Sequence, residues 1–179
     1  MDFELSETQR AYQDAAHQFS IKELAPHAAK WDETHFFPKG VIKKAAAAGF
    51  CGLYIPENLG GLGLSRLDSV VILEELAAGC TATTAYITIH NMATWMVASF
   101  ASEELLSQWV PRLVSGDLLA SYCLTEPDAG SDAASLKTKA VRDGDSYVLN
   151  GSKMFISGAG DTDALVVMAR TGESGAEAI

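Results

Sequence analysis

Apolar residues recur at helical spacing over the first two thirds of the chain. Ser6 and Gln9 form a capping-box pattern, and alanine and aromatic positions follow every three or four residues as far as Phe19, which predicts a capped helix. Pro26 is expected to break or kink it. Further helices are predicted near residues 27–33, 38–48, 65–79, 81–101 and 102–116. Pro111 is expected to kink or divide the last of them.

Two other segments lack helical periodicity. In residues 50–64, Pro56, Gly60, Gly61 and Gly63 lie close together, which predicts a long ordered loop. After Asp117 the pattern becomes strand-like, with predicted strands at 118–124 and 164–170. Between them, Asp143-Gly144 and Asn150-Gly151 each lie between short apolar runs and predict two hairpins.

Helices first and strands later favour an α+β fold. We expect a helical domain at 1–117 and an antiparallel, β-barrel-like domain at 118–179. The few strands of the second part make a poor independent domain, so we expect this domain to be incomplete in the 179-residue chain.

Composition narrows the classes of function. The chain is 48% hydrophobic and has a formal net charge of −10, which is typical of a packed globular protein and argues against disorder. Acidity of this degree argues against binding to nucleic acid or to an anionic membrane. In addition, the sequence lacks an apolar run of the roughly 20 residues that span a bilayer.

The cysteines and the N-terminus bear on location. Three widely spaced cysteines without a CxxC pair favour buried thiols in a reducing compartment and no zinc site. The first residues lack a basic and apolar pattern, so we do not expect them to be a signal peptide. We expect a cytoplasmic protein, or a mitochondrial matrix protein whose targeting segment has been removed.

The strongest chemical signal is the segment Tyr122–Asp132, where a strand enters a Gly/Asp/Pro/Ser loop. Gly130 can adopt φ angles that other residues avoid, and successive backbone N–H groups in such a loop can form an anion-binding nest. Thr125 and Ser131 add hydroxyl groups. The alternative is an ordinary strand-to-turn connection, which the spacing alone favours.

A second signal lies at Asn150–Ser157. Phe155 and Ser157 are two residues apart and would share one face of a strand. A flat ring could stack on Phe155 while Ser157 bonds its edge. A hairpin with Phe155 in the core is the better interpretation of this segment taken alone.

Together these motifs resemble the acyl-CoA dehydrogenase family. Tyr122–Asp132 is similar to that family's flavin-binding pattern Y-C-x-T-E-P-x-x-G-S-D, and Asn150–Ser157 is similar to its second flavin segment. Pro56–Gly61 resembles its P-E-x-x-G-G loop. The three segments occur in the family's order, and the resemblance extends over essentially the whole chain. Tyr122–Ser135 and Ile156–Gly160 most resemble the isobutyryl-CoA and short branched-chain members.

The resemblance implies a FAD-dependent oxidoreductase, a homo-oligomer, that acts on acyl-CoA and passes electrons to an electron-transferring flavoprotein. Such enzymes have an N-terminal helical domain, a middle β domain and a C-terminal four-helix domain. By analogy, the cofactor-binding residues are Tyr122, Cys123, Leu124, Thr125, Glu126, Pro127, Asp128, Ala129, Gly130, Ser131, Phe155, Ile156 and Ser157. Phe155 and Ser157 replace the Trp and Thr that are frequent in the family.

The substrate-binding candidates implied in the same way are Ser131 for the CoA moiety and Thr84, Thr88 and Met92 for the acyl chain. The last three are spaced by four residues on one helix face, and ordinary helix packing explains that spacing equally well. The resemblance puts the catalytic base in the C-terminal domain. We therefore expect no catalytic residue among residues 1–179 and no activity of this chain alone.

Other candidates for acid–base or metal chemistry are weaker. Glu126 lies in the flavin-like loop and has no sequence signal for a raised pKa. His90 is expected to be a hydrogen-bonded core residue, and the other histidines are too scattered for a metal site. Alternatives to a dehydrogenase are an acyl-CoA oxidase or flavin monooxygenase of the same fold, or a non-catalytic binding module.

Overall fold

The computed structural model describes residues 4–172, which fold into a helical region followed by a small β region. The helices are α1 (Glu7–Phe19), α2 (Ala28–Glu33), α3 (Lys39–Ala47), α4 (Arg66–Gly79), α5 (Thr81–Phe100) and α6 (Glu103–Val114). The strands are β1 (Ala120–Cys123), β2 (Lys139–Asp143), β3 (Ser146–Asn150) and β4 (Ala164–Val167). The α+β order predicted from the sequence is confirmed.

Local hydrogen bonds explain where the helices begin. Ser6 and Gln9 form a reciprocal capping box at α1, and Ser65 and Asp68 form another at α4. The Ser102 hydroxyl accepts from the backbone N–H of Leu105 at the start of α6. Each bond satisfies an N–H group that the helix itself leaves unpaired. Helix α6 is continuous through Pro111, so the proline does not divide it.

The apolar faces of the helices meet in one main core. Helix α4 packs between α1 and α5, and α5 packs against α6 and β1. Leu24, Ile72, Leu76 and Ile87 are fully buried in this core. Within residues 4–172, no helix is both long and apolar enough to cross a bilayer.

The segment at 50–64 is an ordered loop, as predicted, that folds back on itself. Leu62 donates its N–H to the carbonyl of Gly52, and Leu64 donates to Leu53. The fully buried Asn91 side chain accepts from the N–H of Leu53 and donates to the carbonyl of Phe50. An asparagine of α5 therefore fixes the loop on the helical core.

The β region differs from the antiparallel expectation in one pairing. Strands β2 and β3 form the predicted antiparallel hairpin around Asp143-Gly144. Strand β4, however, pairs with β1 in parallel, with Ala120 opposite Ala164 and Cys123 opposite Val167. The excursion between β1 and β4 contains the β2–β3 hairpin and brings the chain back in the same direction, which sequence patterns do not specify.

The second predicted hairpin, at Asn150-Gly151, is wrong. Asn150 is still part of β3, and Gly151 packs so closely on Thr138 that a Cβ atom there would lie 2.2 Å from Thr138 Oγ1. A residue without a side chain is required here by the close contact with Thr138 and not by a tight turn. The chain then leaves the β2–β3 sheet, and Met154 donates its N–H to the carbonyl of Thr125.

Candidate functional site

The first motif begins at the end of β1 and closes into a short turn. Glu126 and Ala129 exchange backbone hydrogen bonds of 2.9 and 3.2 Å. The Glu126 carboxylate points into the protein and is 6% exposed. It accepts from the backbone N–H groups of Lys137 and Thr138 and from Nζ of Lys153, the last at 2.7 Å. One carboxylate thus joins the start of the first motif to the entry of β2 and to the second motif.

The second motif lies directly on the first. Lys153 Nζ also donates to the Leu124 carbonyl at 2.8 Å, and Met154 N–H donates to the Thr125 carbonyl. Further along, the Ser121 hydroxyl of β1 donates to the Ser157 carbonyl at 2.6 Å. The two segments singled out in the sequence, about 30 residues apart, are therefore held side by side by these bonds.

Glu126 is not suited to act as a base. Burial is the largest influence on its pKa and raises it, but the Lys153 ammonium and the backbone N–H donors together outweigh burial and lower the pKa to about 2. A group this acidic retains little tendency to accept a proton at neutral pH. The expectation that Glu126 has no raised pKa is confirmed, and its carboxylate is a structural anchor.

The exposed side of the paired motifs presents groups without protein partners. Within residues 4–172, the hydroxyls of Thr125, Ser131 and Ser157 make no hydrogen bond to the protein. Gly130 directly precedes Ser131, and a Cβ atom built on it would meet nothing within 4 Å. The φ of Gly130 is not positive, so the loop does not use the conformational freedom that glycine would allow there. What distinguishes Gly130 is the open space in front of it.

Phe155 is presented to solvent and does not belong to a hairpin core. Its side chain is 86% exposed and its φ is +57°, a left-handed conformation that costs a bulky residue energy. Because residues 154–156 are not a strand, Phe155 and Ser157 do not share a face through strand alternation. An exposed aromatic ring held in a strained conformation is typical of a binding surface.

The acyl-chain candidates line a groove between α4 and α5. Thr84 and Thr88 line a cavity of about 500 Å³ with Val70 and Leu73, and Thr88 and Met92 line an adjoining cavity of about 290 Å³ with the same two residues. The Thr84 hydroxyl is buried and has no hydrogen-bond partner in the described part of the chain. The structure therefore places all three predicted residues along one groove.

Helix α5 connects that groove to the motif pair through its opposite side. Gly158 lies against Tyr86, so closely that a Cβ atom there would be 2.6 Å from Tyr86 Cε2. His90 is fully buried; its Nε2 is 2.9 Å from the Leu113 carbonyl, and its Nδ1 accepts from the N–H of Ala120 at 3.0 Å. These two partners require the neutral Nε2–H tautomer. The predicted core role of His90 is confirmed.

Other sequence signals have structural roles. The Pro56–Gly61 loop packs toward α6, where Ile55 and Leu59 contact Val110 and Val114. A further cavity of about 570 Å³ lies between α2, α3 and the α4–α5 turn, lined by aromatic residues such as Trp31 and Phe37, and neither motif contributes to it. Within residues 4–172, no cluster of His, Cys, Asp or Glu could hold a metal ion.

Sequence reasoning missed Lys153 as the partner of Glu126. The available signal was that Lys153 is the one charged residue of the second motif, while the charged residues of the first motif are all acidic. It also missed Arg66, whose guanidinium lies 3.4 Å above the centre of the Tyr54 ring. No periodicity marks such a contact.

Family models match nearly the whole chain. The N-terminal domain of acyl-CoA dehydrogenase matches residues 6–117, and the middle domain of acyl-CoA dehydrogenase matches residues 121–179. A mitochondrial isobutyryl-CoA dehydrogenase of Bos taurus is 53% identical over 98% of this chain and 42% of its own length. The corresponding enzyme of Dictyostelium discoideum is 50% identical over 94% of this chain and 40% of its own length. The chain therefore spans about two fifths of the length of these relatives.

Solved structures agree with this assignment. The glutaryl-coenzyme A dehydrogenase glutaryl-CoA complex is 34% identical, with a TM-score of 0.89 over 96% of this chain and 45% of that one. The FAD complex of PigA is 32% identical, with a TM-score of 0.90 over 97% of this chain and 46% of that one. The helical region, the two adjoining motifs and these matches lead to one conclusion: the chain belongs to the acyl-CoA dehydrogenase family.

Proposed function

We propose that the protein containing this chain is a FAD-dependent dehydrogenase of short or branched-chain acyl-CoA thioesters. The observation that supports this most directly is the pairing of the two motifs into one surface with open space at Gly130, free hydroxyls and an exposed Phe155. The relatives named isobutyryl-CoA dehydrogenase support the branched-chain substrate.

The surface fits a flavin in its donor set. The hydroxyls of Thr125, Ser131 and Ser157 can donate to the polar ring edge and the pyrophosphate, and the Phe155 ring offers a stacking surface. The backbone of the Tyr122–Ser131 loop would approach the cofactor at Gly130, with Ser131 also near the CoA moiety. Ile156 is half-buried beneath this surface. FAD, when bound, would supply the acceptor for the hydride that leaves the substrate β-carbon.

The residues of this chain would orient the substrate and exclude water. The α4–α5 groove, with Thr84, Thr88 and Met92, would hold the acyl chain. Dehydrogenation also requires a base for the α-proton. Glu126 is excluded by its low pKa and its buried hydrogen bonds, so we place the base outside residues 1–179, in the remaining length that the relatives have.

The proposed partners follow from the same assignment. We propose acyl-CoA as the substrate, an electron-transferring flavoprotein as the acceptor and a homo-oligomeric assembly. The mitochondrial relatives support a mitochondrial matrix location, and a bacterial cytoplasm is the other setting in which the proposal would hold. A helical domain at 1–117 and a β domain from 118 onward remain part of the proposal.

Gly130→Val in the full-length protein tests the cofactor surface. Because a side chain at Gly130 meets no protein atom, the variant should fold normally and lose its bound flavin. Gly40→Val is the matched control, since Gly40 also faces open space but lies in α3. A Gly130→Val protein with a normal FAD load would contradict the proposed surface.

Activity is tested by mixing the full-length protein with isobutyryl-CoA in the absence of oxygen. We expect loss of the flavin absorbance near its visible maximum and formation of the α,β-unsaturated thioester. In a parallel measurement in air, oxygen consumption without an added acceptor would instead identify an oxidase. A flavin that no acyl-CoA bleaches would refute the dehydrogenase assignment.

A further inference from the structure

The two cavities between α4 and α5 form one groove with a defined direction. They share Val70, Leu73 and Thr88 in their walls. One end lies at the α4–α5 turn, where Ala77 and Thr81 line the groove. The other end is lined by residues near the start of α4 and the middle of α5. An occupant would therefore lie along the two helices.

A cation lines the second end. The Arg66 guanidinium lies 3.4 Å above the centre of the Tyr54 ring and 5.3 Å from that of Trp95. Arg66 and Tyr54 both line the smaller cavity, together with Met92. Two aromatic rings hold the guanidinium in place, and such contacts are stable at partly exposed positions.

The position of the motif pair indicates which end an acyl chain would enter. Gly158, at the end of the second motif, touches Tyr86 in the first half of α5. Trp95 lies nine residues further along α5, about 14 Å at the helical rise of 1.5 Å per residue. This contact lies across α5 from the groove and close, along the helix, to the groove end at Thr81 and Thr84. A chain that enters at that end and follows α5 therefore runs toward Arg66.

We propose that Arg66, stacked on Tyr54, is the far wall of the acyl groove and sets the longest acyl chain that the protein accepts. This inference rests on the proposed function and names a specificity-determining residue for it. An apolar chain end that reached Arg66 would have to remove the guanidinium from its aromatic partners or from water, and both are unfavourable. Shorter chains end before this wall and are unaffected.

The experiment measures binding of non-reacting S-alkyl-CoA thioethers to the full-length holoprotein by calorimetry, with butyl, hexyl and octyl chains. In Arg66→Ala the ratio of the butyl to the octyl dissociation constant should rise about tenfold or more over wild type, because each newly buried methylene contributes roughly fourfold. Tyr54→Leu, which removes the stacking partner, should act in the same direction. Arg66→Lys should have a smaller effect, because it retains the charge without the planar stack.

Arg112→Ala is the matched control, since Arg112 is an exposed arginine of α6 outside the groove. An Arg66→Ala ratio equal to that of Arg112→Ala would overturn the proposal, as would a wild-type protein that binds none of the thioethers. A thioether with a terminal carboxylate that binds wild type more tightly than its methyl counterpart, and loses this advantage in Arg66→Ala, would make Arg66 an anion receptor instead. Length-dependent binding without flavin reduction by any acyl-CoA would refute the dehydrogenase assignment and leave the groove assignment intact.

Discussion

The helical region and the β region bury their side chains in different ways. Helices α1, α4 and α5 enclose a continuous apolar core, and the buried Asn91 and His90 side chains of α5 have hydrogen-bond partners. In the β2–β3 hairpin, by contrast, Val141, Tyr147 and Leu149 are all more than half exposed. The helical region is held together by apolar packing, and the β region depends on a few polar connections.

The most important of those connections is the ion pair between Glu126 and Lys153. It is nearly buried, with side chains 5% and 12% exposed, and it also receives backbone donors from the start of β2. A buried ion pair adds little stability over an apolar pair of the same shape, but removing one partner is costly. The pair therefore specifies how the two motif segments fit together.

Breaking this pair should have the largest effect. Lys153→Met leaves the Glu126 carboxylate buried without its cation, and we expect the β region to lose about 3–5 kcal/mol of stability. Amide hydrogen exchange should report the loss at β1–β4 and much less in α1 and α4. Lys137→Met is the control, because the Lys137–Asp128 pair is largely exposed. Equal loss of protection in both regions would contradict the comparison.

His90 joins the two regions, so its replacement should affect both. His90→Leu leaves the Ala120 N–H and the Leu113 carbonyl buried without a partner, and we expect a loss of about 3 kcal/mol in global stability. Thermal unfolding followed by circular dichroism would measure it. His27→Leu, at an exposed histidine, should change stability by less than about 0.5 kcal/mol. Loss confined to the β region would mean that His90 does not support the helical core.

Acid should lower the stability of the protein in two steps, the first at the junction of the two regions and the second within the β region. Burial lowers the pKa of His90 below its usual 6.5, so the folded state resists protonation and loses stability as the pH falls from 6.5 toward that lower value. The pKa of Glu126 falls from 4.5 to about 2, so its contribution is present above pH 4.5 and is lost as the pH falls from 4.5 through 2.

The free energy of unfolding, measured from pH 7 to pH 2, should therefore fall in two steps. The step at higher pH should disappear in His90→Leu and the step at lower pH in Glu126→Gln, although both variants are less stable at neutral pH. If the step at lower pH persists unchanged in Glu126→Gln, other carboxylates cause it.

The same contrast explains what could be predicted from the sequence. The helix starts at Ser6, Ser65 and Ser102 were found because capping is a contact between residues three apart. The parallel pairing of β1 with β4 was not found from the sequence, because nothing local to either strand encodes its partner. The motif residues were found through the resemblance. The left-handed conformation of Phe155 was not, and it directly follows two residues that bond to the other motif, which are contacts distant in sequence.

The smallest effect on stability is expected at Phe155. Its ring is 86% exposed and its φ is +57°, so the residue contributes little packing and costs about 1 kcal/mol of backbone strain. Phe155→Asn should raise the stability of the protein by up to about 1 kcal/mol, because asparagine tolerates the left-handed region. Phe100→Asn is the control: this exposed aromatic of α5 has no positive φ, so its replacement should not stabilise the protein.

In the full-length protein, Phe155→Asn should also weaken FAD binding, measured by flavin release during ultrafiltration, because the stacking surface is lost. A variant that is more stable and yet retains FAD normally would mean that the strain at Phe155 serves some purpose other than presenting a ring to the cofactor.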